Sequence, residues 1–277
     1  MASKIGGRLI VARHHRRNEG KGWSPTAQGR GRPPARRAPP AATDWLWGWH
    51  AVTAALANPA RGEPRRLVAT AERARELAAR FPALRPAETL EAAEIARLLP
   101  AGAAHQGLAL KAAPLEPLAL AALATPATGV LVMLDQVTDP QNVGAIFRSA
   151  AAFGAKGVVV QDRHAPAFTG ALAKAAAGAL DVTPHARVVN LARALDELAD
   201  LGWRAVGLAG DAEGELAAVL DARPTVLVLG SEGEGLRRLV GEHCDALARI
   251  PMPGGFESLN VSAAAAVALY AASKARG

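Results

Sequence analysis

The chain has 277 residues, of which half are hydrophobic, and it carries a net charge of +7 and a single cysteine, Cys244. This length favours two modest domains, and the hydrophobic content excludes a mainly disordered protein. Pro, Gly or charge interrupts every apolar run, the N-terminus lacks a secretory core, and one cysteine excludes an internal disulfide or a Cys-based zinc cluster. We therefore expect a cytoplasmic protein without a membrane segment or a metal site.

The positive charge is concentrated at the N-terminus. Residues 1–43 contain ten Lys or Arg and one acid, Glu19, so that the remaining residues have a net charge of about −2. An Arg-rich segment with many Pro and Gly predicts a disordered tail that attracts nucleic acid by releasing counterions. A solubilising extension and an organelle transit peptide are the alternatives.

Residues 45–112 predict a small α/β domain. Trp45, Trp47 and Trp49 alternate as in a strand, with packing favoured over base stacking, and His50 favours a capping or core role over RNA contact. The predicted elements are a helix ending at Ala57, a strand over 67–69, helices over 71–81 and 91–99, and a strand over 107–111. Prolines bracket a short helix in a linker over 113–127.

Residues 128–277 predict an α/β domain with a parallel sheet. Continuous apolar runs separated by helical segments are typical of strands that are buried on both faces. The predicted strands cover 130–134, 157–160, 205–208 and 225–229, and the predicted helices cover 143–153, 167–178, 191–201, 236–243 and 262–274.

Ligands of such sheets bind beyond the carboxyl ends of the strands, where unusual loops follow. In the first loop, Asn142 stands where a helix begins and either caps it or presents its amide to a substrate. Arg148, taken by itself, is predicted to be a solvated residue of that helix. In the second loop, three glycines accompany Glu232 and Glu234, which would repel a phosphate but tolerate a sulfonium.

The third loop carries Glu257, Ser258 and Asn260 directly before a nearly uncharged helix, for which Ser262 is the expected N-cap. Polar groups next to a buried helix are costly unless they are paired or used. Structural pairing and a functional role stay equally open for this segment taken alone.

The three loops together resemble the motifs of one enzyme family. Asp139-Pro-Gln-Asn-Val-Gly-x-x-x-Arg-Ser-Ala, Gly230-Ser-Glu-Gly-x-Gly, and Ile250-Pro-Met with Ser258-Leu-Asn-Val-Ser are similar to motifs of the SpoU (TrmH-like) RNA 2′-O-ribose methyltransferases of the SPOUT class. Gly48-x-His-Ala-Val and His105-Gln-Gly resemble the substrate-binding domain of the branch that methylates guanosine in bacterial 23S rRNA.

This resemblance implies an S-adenosylmethionine-dependent enzyme and a homodimer. It implies a trefoil knot in a SPOUT domain over 128–277 and a ribosomal-protein-L30e-like fold over 45–112. The implied cofactor contacts are Gly210, Gly230, Ile250, Met252 and Leu259, and the implied catalytic residues are Asn142, Arg148, Glu232, Ser258 and Asn260. Glu257 departs from the related branch, which often has a small polar residue there.

The resemblance also suggests roles for the catalytic residues. Arg148 would fix a phosphate, because a guanidinium stays protonated and is a poor base. Asn142 and Ser258 would orient the ribose, Asn260 would brace its loop, and Glu232 would hold Arg148 or the target nucleotide. The expected substrate is 23S rRNA, with tRNA methylation or a non-catalytic RNA-binding assembly factor as alternatives. DNA is not an expected partner, and an oxidoreductase would need a proper dinucleotide fingerprint.

Overall fold

The computed structural model describes residues 44–255 and 258–276, so that the tail over 1–43 and Glu257 lie outside the described residues. The strands are β1 Trp45–Trp47, β2 Arg66–Ala69, β3 Glu88–Thr89, β4 Leu108–Lys111, β5 Val130–Leu134, β6 Gly157–Gln161, β7 His185–Val188, β8 Arg204–Leu208, β9 Thr225–Leu229 and β10 Ala246–Ala248. The helices are α1 Trp49–Ala57, α2 Ala71–Arg80, α3 Ala92–Leu98, α4 Leu120–Ala124, α5 Pro140–Ala152, α6 Gly170–Ala176, α7 Leu191–Asp200, α8 Leu216–Val219, α9 Arg238–Glu242 and α10 Val261–Lys274.

The first four strands form a mixed sheet in the order β1-β4-β2-β3. Trp45 and Trp47 are both buried in β1, but Trp49 is the first residue of α1, so its predicted place in the same strand is wrong. The reason lies in Gly48, whose φ of 86° takes the chain through a left-handed turn between strand and helix.

The other six strands form a parallel sheet in the order β10-β8-β9-β5-β6-β7, which confirms the predicted α/β class. The four apolar runs form the central strands, where side chains on both faces are buried. Strands β7 and β10, which lie at the two edges of this sheet, were not predicted from the sequence; β7 contains His185 and Arg187, and β10 has only three residues. The trefoil knot and the L30e-like fold stay predictions.

Two helix starts differ from those expected. Asp139, not Asn142, caps α5: its carboxylate accepts a hydrogen bond from the Gln141 amide at 3.0 Å, and Pro140 follows at the first helical position. Asn260, not Ser262, caps α10, and its side-chain oxygen accepts from the Ser262 amide at 2.9 Å. The first correction leaves the Asn142 amide group available for other contacts, and the second leaves the Asn260 Nδ2 group available, since only its side-chain oxygen caps the helix.

The two sheets share a core. One buried apolar cluster contains Leu46 and Val52 from the first part and Phe147 from the second. Asp181 accepts hydrogen bonds from Arg61 at 2.7 and 3.1 Å, and both side chains are almost fully buried. Removal of residues 45–112 would therefore expose apolar surface of the shared core and remove the Arg61 partner of Asp181. Within the described ranges, no helix combines the length and apolar composition needed to cross a bilayer.

His185 is buried between aromatic rings. Its ring centroid lies 4.7 Å from that of Phe168 and 6.4 Å from that of Phe147, and Nε2 has no hydrogen-bond partner among the described residues. Burial, and then the positive charges of Arg187 and Arg61, lower the pKa of His185 from 6.5 to about 4.

The unfolded chain therefore binds a proton at His185 near pH 6.5, whereas the folded chain resists protonation down to about pH 4. We expect the free energy of unfolding to fall as the pH falls through this window, by roughly 2 kcal/mol between pH 7 and 4.5 from this group. Urea denaturation across this range measures the loss. The variant His185→Phe should lack this part of the pH dependence, and an identical pH profile for both proteins would contradict the assignment.

Candidate active site

A cavity of about 1110 Å³ lies at the carboxyl edge of the parallel sheet, beyond β8, β9 and β10. The loops after these strands and the first turn of α10 form its walls. All five residues that the resemblance assigned to the cofactor line it, namely Gly210, Gly230, Ile250, Met252 and Leu259. Glu232, Ser258 and Asn260 line it as well. The position agrees with the general location of ligand sites in parallel α/β sheets.

Three side chains from distant parts of the chain meet beside this cavity. Glu232 Oε1 accepts hydrogen bonds from Asn142 Nδ2 at 2.9 Å and from Asn260 Nδ2 at 2.6 Å. The Asn260 amide also donates to Asn142 Oδ1 at 3.0 Å. We call this set, Asn142, Glu232 and Asn260, the amide–carboxylate triangle. Since Asn260 also caps α10, the triangle joins the first turn of α5, the glycine loop after β9 and the start of α10.

The glycine loop places Glu232 at the tip of a tight turn. A Cβ at position 230 would lie within 2.3 Å of backbone atoms of Gly235 and Leu236, so that only glycine fits there. Ser231 and Gly235 exchange two backbone hydrogen bonds of 3.1 Å, which close the turn. The glycines therefore serve the fold of the loop, and the chemistry is left to the carboxylate that the loop presents.

An ion pair between a buried carboxylate and a partly exposed arginine, not predicted from the sequence, anchors the end of this loop. Asp135, at the end of β5 and 1% exposed, accepts hydrogen bonds from the Arg237 amide at 2.9 Å and from Arg237 Nε at 2.7 Å. Arg237 also donates to Gln161 Oε1, at the end of β6, at 3.2 Å. Asp135 and Arg237 are 102 positions apart. An aspartate directly after an apolar strand indicates that the carboxylate has a polar partner, because an unpaired buried charge is costly. The local sequence does not identify that partner.

Arg148 is not part of this assembly. It lies on α5 six residues after Asn142, which places it roughly 120° around the helix and about 9 Å along its axis. The side chain is exposed, does not line the cavity, and forms no hydrogen bond or ion pair within the described part of the chain. The structure thus brings together four of the five implied catalytic residues at the cavity, and Glu232 bonds to the two asparagines, not to Arg148.

The charges around the cavity favour a cationic ligand. Asp211, Glu232, Glu234 and Glu242 line it, together with Arg237 and Arg238. Asp135 neutralises Arg237, and Glu242 pairs with Arg238, so that the remaining carboxylates are in excess. Such a surface attracts a positively charged ligand and repels a phosphate. Ile250, Met252 and Leu259 add an apolar wall.

Comparison with known proteins identifies the family. A sequence model of the SpoU rRNA methylase family matches residues 129–270, which include all six strands of the parallel sheet and all three loops. The chain belongs to the SpoU rRNA methylase family. The SpoU methyltransferase AviRb from Streptomyces viridochromogenes, solved in complex with the cofactor AdoMet, has the same fold: the TM-score is 0.69 at 26% identity, covering 83% of this chain and 89% of AviRb.

Two curated SpoU-like relatives match in sequence. The 23S rRNA (guanosine-2′-O-)-methyltransferase RlmB of Pseudomonas syringae is 47% identical over 147 residues, covering 53% of this chain and 59% of RlmB. An uncharacterized tRNA/rRNA methyltransferase of Mycolicibacterium vanbaalenii is 45% identical over 170 residues, covering 60% of this chain and 54% of that protein. The chain thus spans a little over half the length of these curated relatives.

The Asp135–Arg237 pair leads to a prediction about stability. Arg237→Met would leave the buried Asp135 carboxylate with the backbone amide of position 237 as a donor but without the guanidinium, and we expect the free energy of unfolding to fall by about 2 kcal/mol. Arg238→Met is the matched control, because the Arg238 side chain is 83% exposed and, among the described residues, forms an ion pair with Glu242 on its own helix and with no other carboxylate. Chemical denaturation of both variants measures the difference, and equal losses would show that the Asp135–Arg237 pair does not anchor the loop.

Proposed function

We propose that this chain is an S-adenosylmethionine-dependent RNA 2′-O-ribose methyltransferase whose substrate is a guanosine of 23S rRNA. The main support is the convergence at one cavity of three loops that carry the SpoU motifs, joined through the amide–carboxylate triangle. The choice of guanosine in 23S rRNA is supported by the likeness to RlmB.

The residues around the cavity suit S-adenosylmethionine. The apolar wall of Ile250, Met252 and Leu259 would cover the adenosine, and the backbone at Gly210 and Gly230 lines the same cavity. The excess of carboxylates complements a sulfonium. When bound, this cofactor supplies an electrophilic methyl group.

The side chains beside the cavity would position the acceptor. In the proposed reaction the ribose 2′-oxygen forms a bond to the methyl carbon as the carbon–sulfur bond breaks, and the hydroxyl proton is lost. Asn142 and Ser258 orient the ribose, and Glu232 and Asn260 hold the Asn142 amide in place through their hydrogen bonds. Arg148, which lies outside the cavity on the exposed side of α5, would bind a neighbouring phosphate of the RNA through its protonated guanidinium.

We also propose that the protein acts as a homodimer. Helices α5 and α10 pack against each other and leave Phe153, Val267 and Tyr270 exposed on one side, where the Phe153 and Tyr270 rings lie 6.0 Å apart. Exposed apolar groups of this kind are typical of protein interfaces, and two-fold symmetric dimers are the commonest assemblies. Light scattering tests this directly, and a monomeric mass at micromolar concentration would contradict it.

The enzymatic proposal predicts the phenotype of Arg148→Ala. Cells that lack the gene should lose one 2′-O-methylated position of 23S rRNA, detected as new susceptibility to alkaline cleavage. The wild-type gene should restore protection, whereas Arg148→Ala should not, even though its purified protein binds S-adenosylmethionine as wild type does.

Arg193→Ala is the matched control, because Arg193 is an exposed arginine on α7, away from the three loops. Full restoration by Arg148→Ala would exclude the assigned role of this arginine. An unchanged 23S pattern in the deletion strain would exclude the proposed substrate and direct the search to tRNA.

A further inference from the structure

Two segments of the first domain resemble family motifs but have no role in the cavity. Gly48-x-His50 and His105-Gln-Gly107 meet at one side chain, Gln106. Gln106 Oε1 accepts hydrogen bonds from the Trp49 amide at 3.1 Å and from the Lys174 ammonium at 2.7 Å. Lys174 belongs to α6 of the second domain, so that both segments converge on a contact between the domains.

The backbone at this contact is arranged around the lysine. Gly48 has a φ of 86°, and a Cβ there would lie 2.4 Å from Lys174 Nζ. Gln106 has a φ of 55°, which is unusual for a residue other than glycine, and it stays exposed. Any larger residue at position 48 would displace the ammonium, so the glycine keeps Lys174 at the domain junction.

Lys174 and Arg61 are both cations at the contact between the domains, but their partners differ in charge. Arg61 is matched by the buried carboxylate of Asp181, whereas the Lys174 ammonium bonds to a neutral amide, and no carboxylate of the described residues lies within 4.0 Å of it. Partial burial lowers the pKa of Lys174. A partly desolvated cation without a counter-ion is a strong attractor for an anion.

A second cation lies next to it. The Arg73 guanidinium stacks over the Trp49 ring at 5.2 Å and donates to the Gln106 carbonyl at 3.2 Å; Glu76 partly balances its charge. We call Trp49, Arg73, Gln106 and Lys174 the junction patch. His50 is exposed beside it, at the second residue of α1.

The junction patch lies beside the helix that begins at the candidate active site. Helix α6 packs closely on α5, where a Cβ at Gly144 would lie 2.6 Å from the Ala175 side chain. Ala175 is adjacent to Lys174, and Gly144 is two residues from Asn142. Asn142 and Lys174 therefore lie on two helices in direct contact, each within two residues of that contact.

We propose that the junction patch is an RNA-contact site, in which Lys174 and the exposed Gln106 amide bind one backbone phosphate of the substrate. The inference rests on the proposed function, since it takes the polyanion to be the RNA that is methylated. Because the patch is built from both domains, it would bind the RNA only in their observed arrangement and so fix where the substrate enters.

The test is the salt dependence of RNA binding by the full-length protein. Filter binding to deproteinised 23S rRNA over a series of KCl concentrations gives the slope of log K against log salt for wild type, Lys174→Gln, Lys174→Arg and Lys156→Gln. Loss of one phosphate contact should make the slope of Lys174→Gln shallower by about one, whereas Lys174→Arg keeps the wild-type slope.

Lys156 is the matched control. It is a partly buried lysine directly before β6, at the amino ends of the parallel strands, whereas the cavity lies at their carboxyl ends. Equal slopes for Lys174→Gln and Lys156→Gln, with equal thermal stability, would overturn the inference. A shallower slope for Lys174→Gln alone would support RNA contact, even if the wild-type protein transferred no methyl group to that RNA. Failure of the proposed function can thus be distinguished from failure of the inferred contact.

Discussion

The arrangement of the site depends on one interaction, the pair of hydrogen bonds that the Glu232 carboxylate accepts from Asn142 and Asn260. A carboxylate is the only common side chain that accepts from several donors and has no donor of its own, and hydrogen bonds to it are stronger than those between neutral groups. The three residues come from elements that follow β5, β9 and β10, whose carboxyl ends reach the same edge only because the sheet is parallel. The fold therefore produces the site by bringing these loops within hydrogen-bond distance.

Much of this arrangement could be predicted from the sequence because apolar runs and loop motifs are local patterns. The four central strands and the α/β class follow from apolar runs of a few residues, and the resemblance of the loop motifs indicated the five expected cofactor residues that now line the cavity. The cap of α5 follows from a local signal, because Asp139 directly precedes Pro140, which favours the first helical position. The use of Asn142 could not be predicted in this way, since its partner Glu232 lies 90 positions away.

Long-range polar pairing accounts for the remaining differences. The Asp135–Arg237 and Arg61–Asp181 pairs each join residues more than 100 positions apart, and no periodicity predicts which charges will meet. The second pair also changes the view of the domain organisation. Composition divides the chain into two α/β parts, but the buried Asp181 carboxylate and the shared apolar cluster join those parts into one compact body over the described residues.

The chemistry of the product tests the central claim most directly. Purified protein, S-adenosylmethionine with a labelled methyl group and 23S rRNA from a strain lacking the gene can be combined, and the RNA digested to nucleosides for mass spectrometry. The account predicts the label in 2′-O-methylguanosine, because the amide–carboxylate triangle is proposed to present a ribose to the cofactor. Label on a base would contradict it. So would the absence of label from 23S rRNA that lacks a modification present in the wild-type strain.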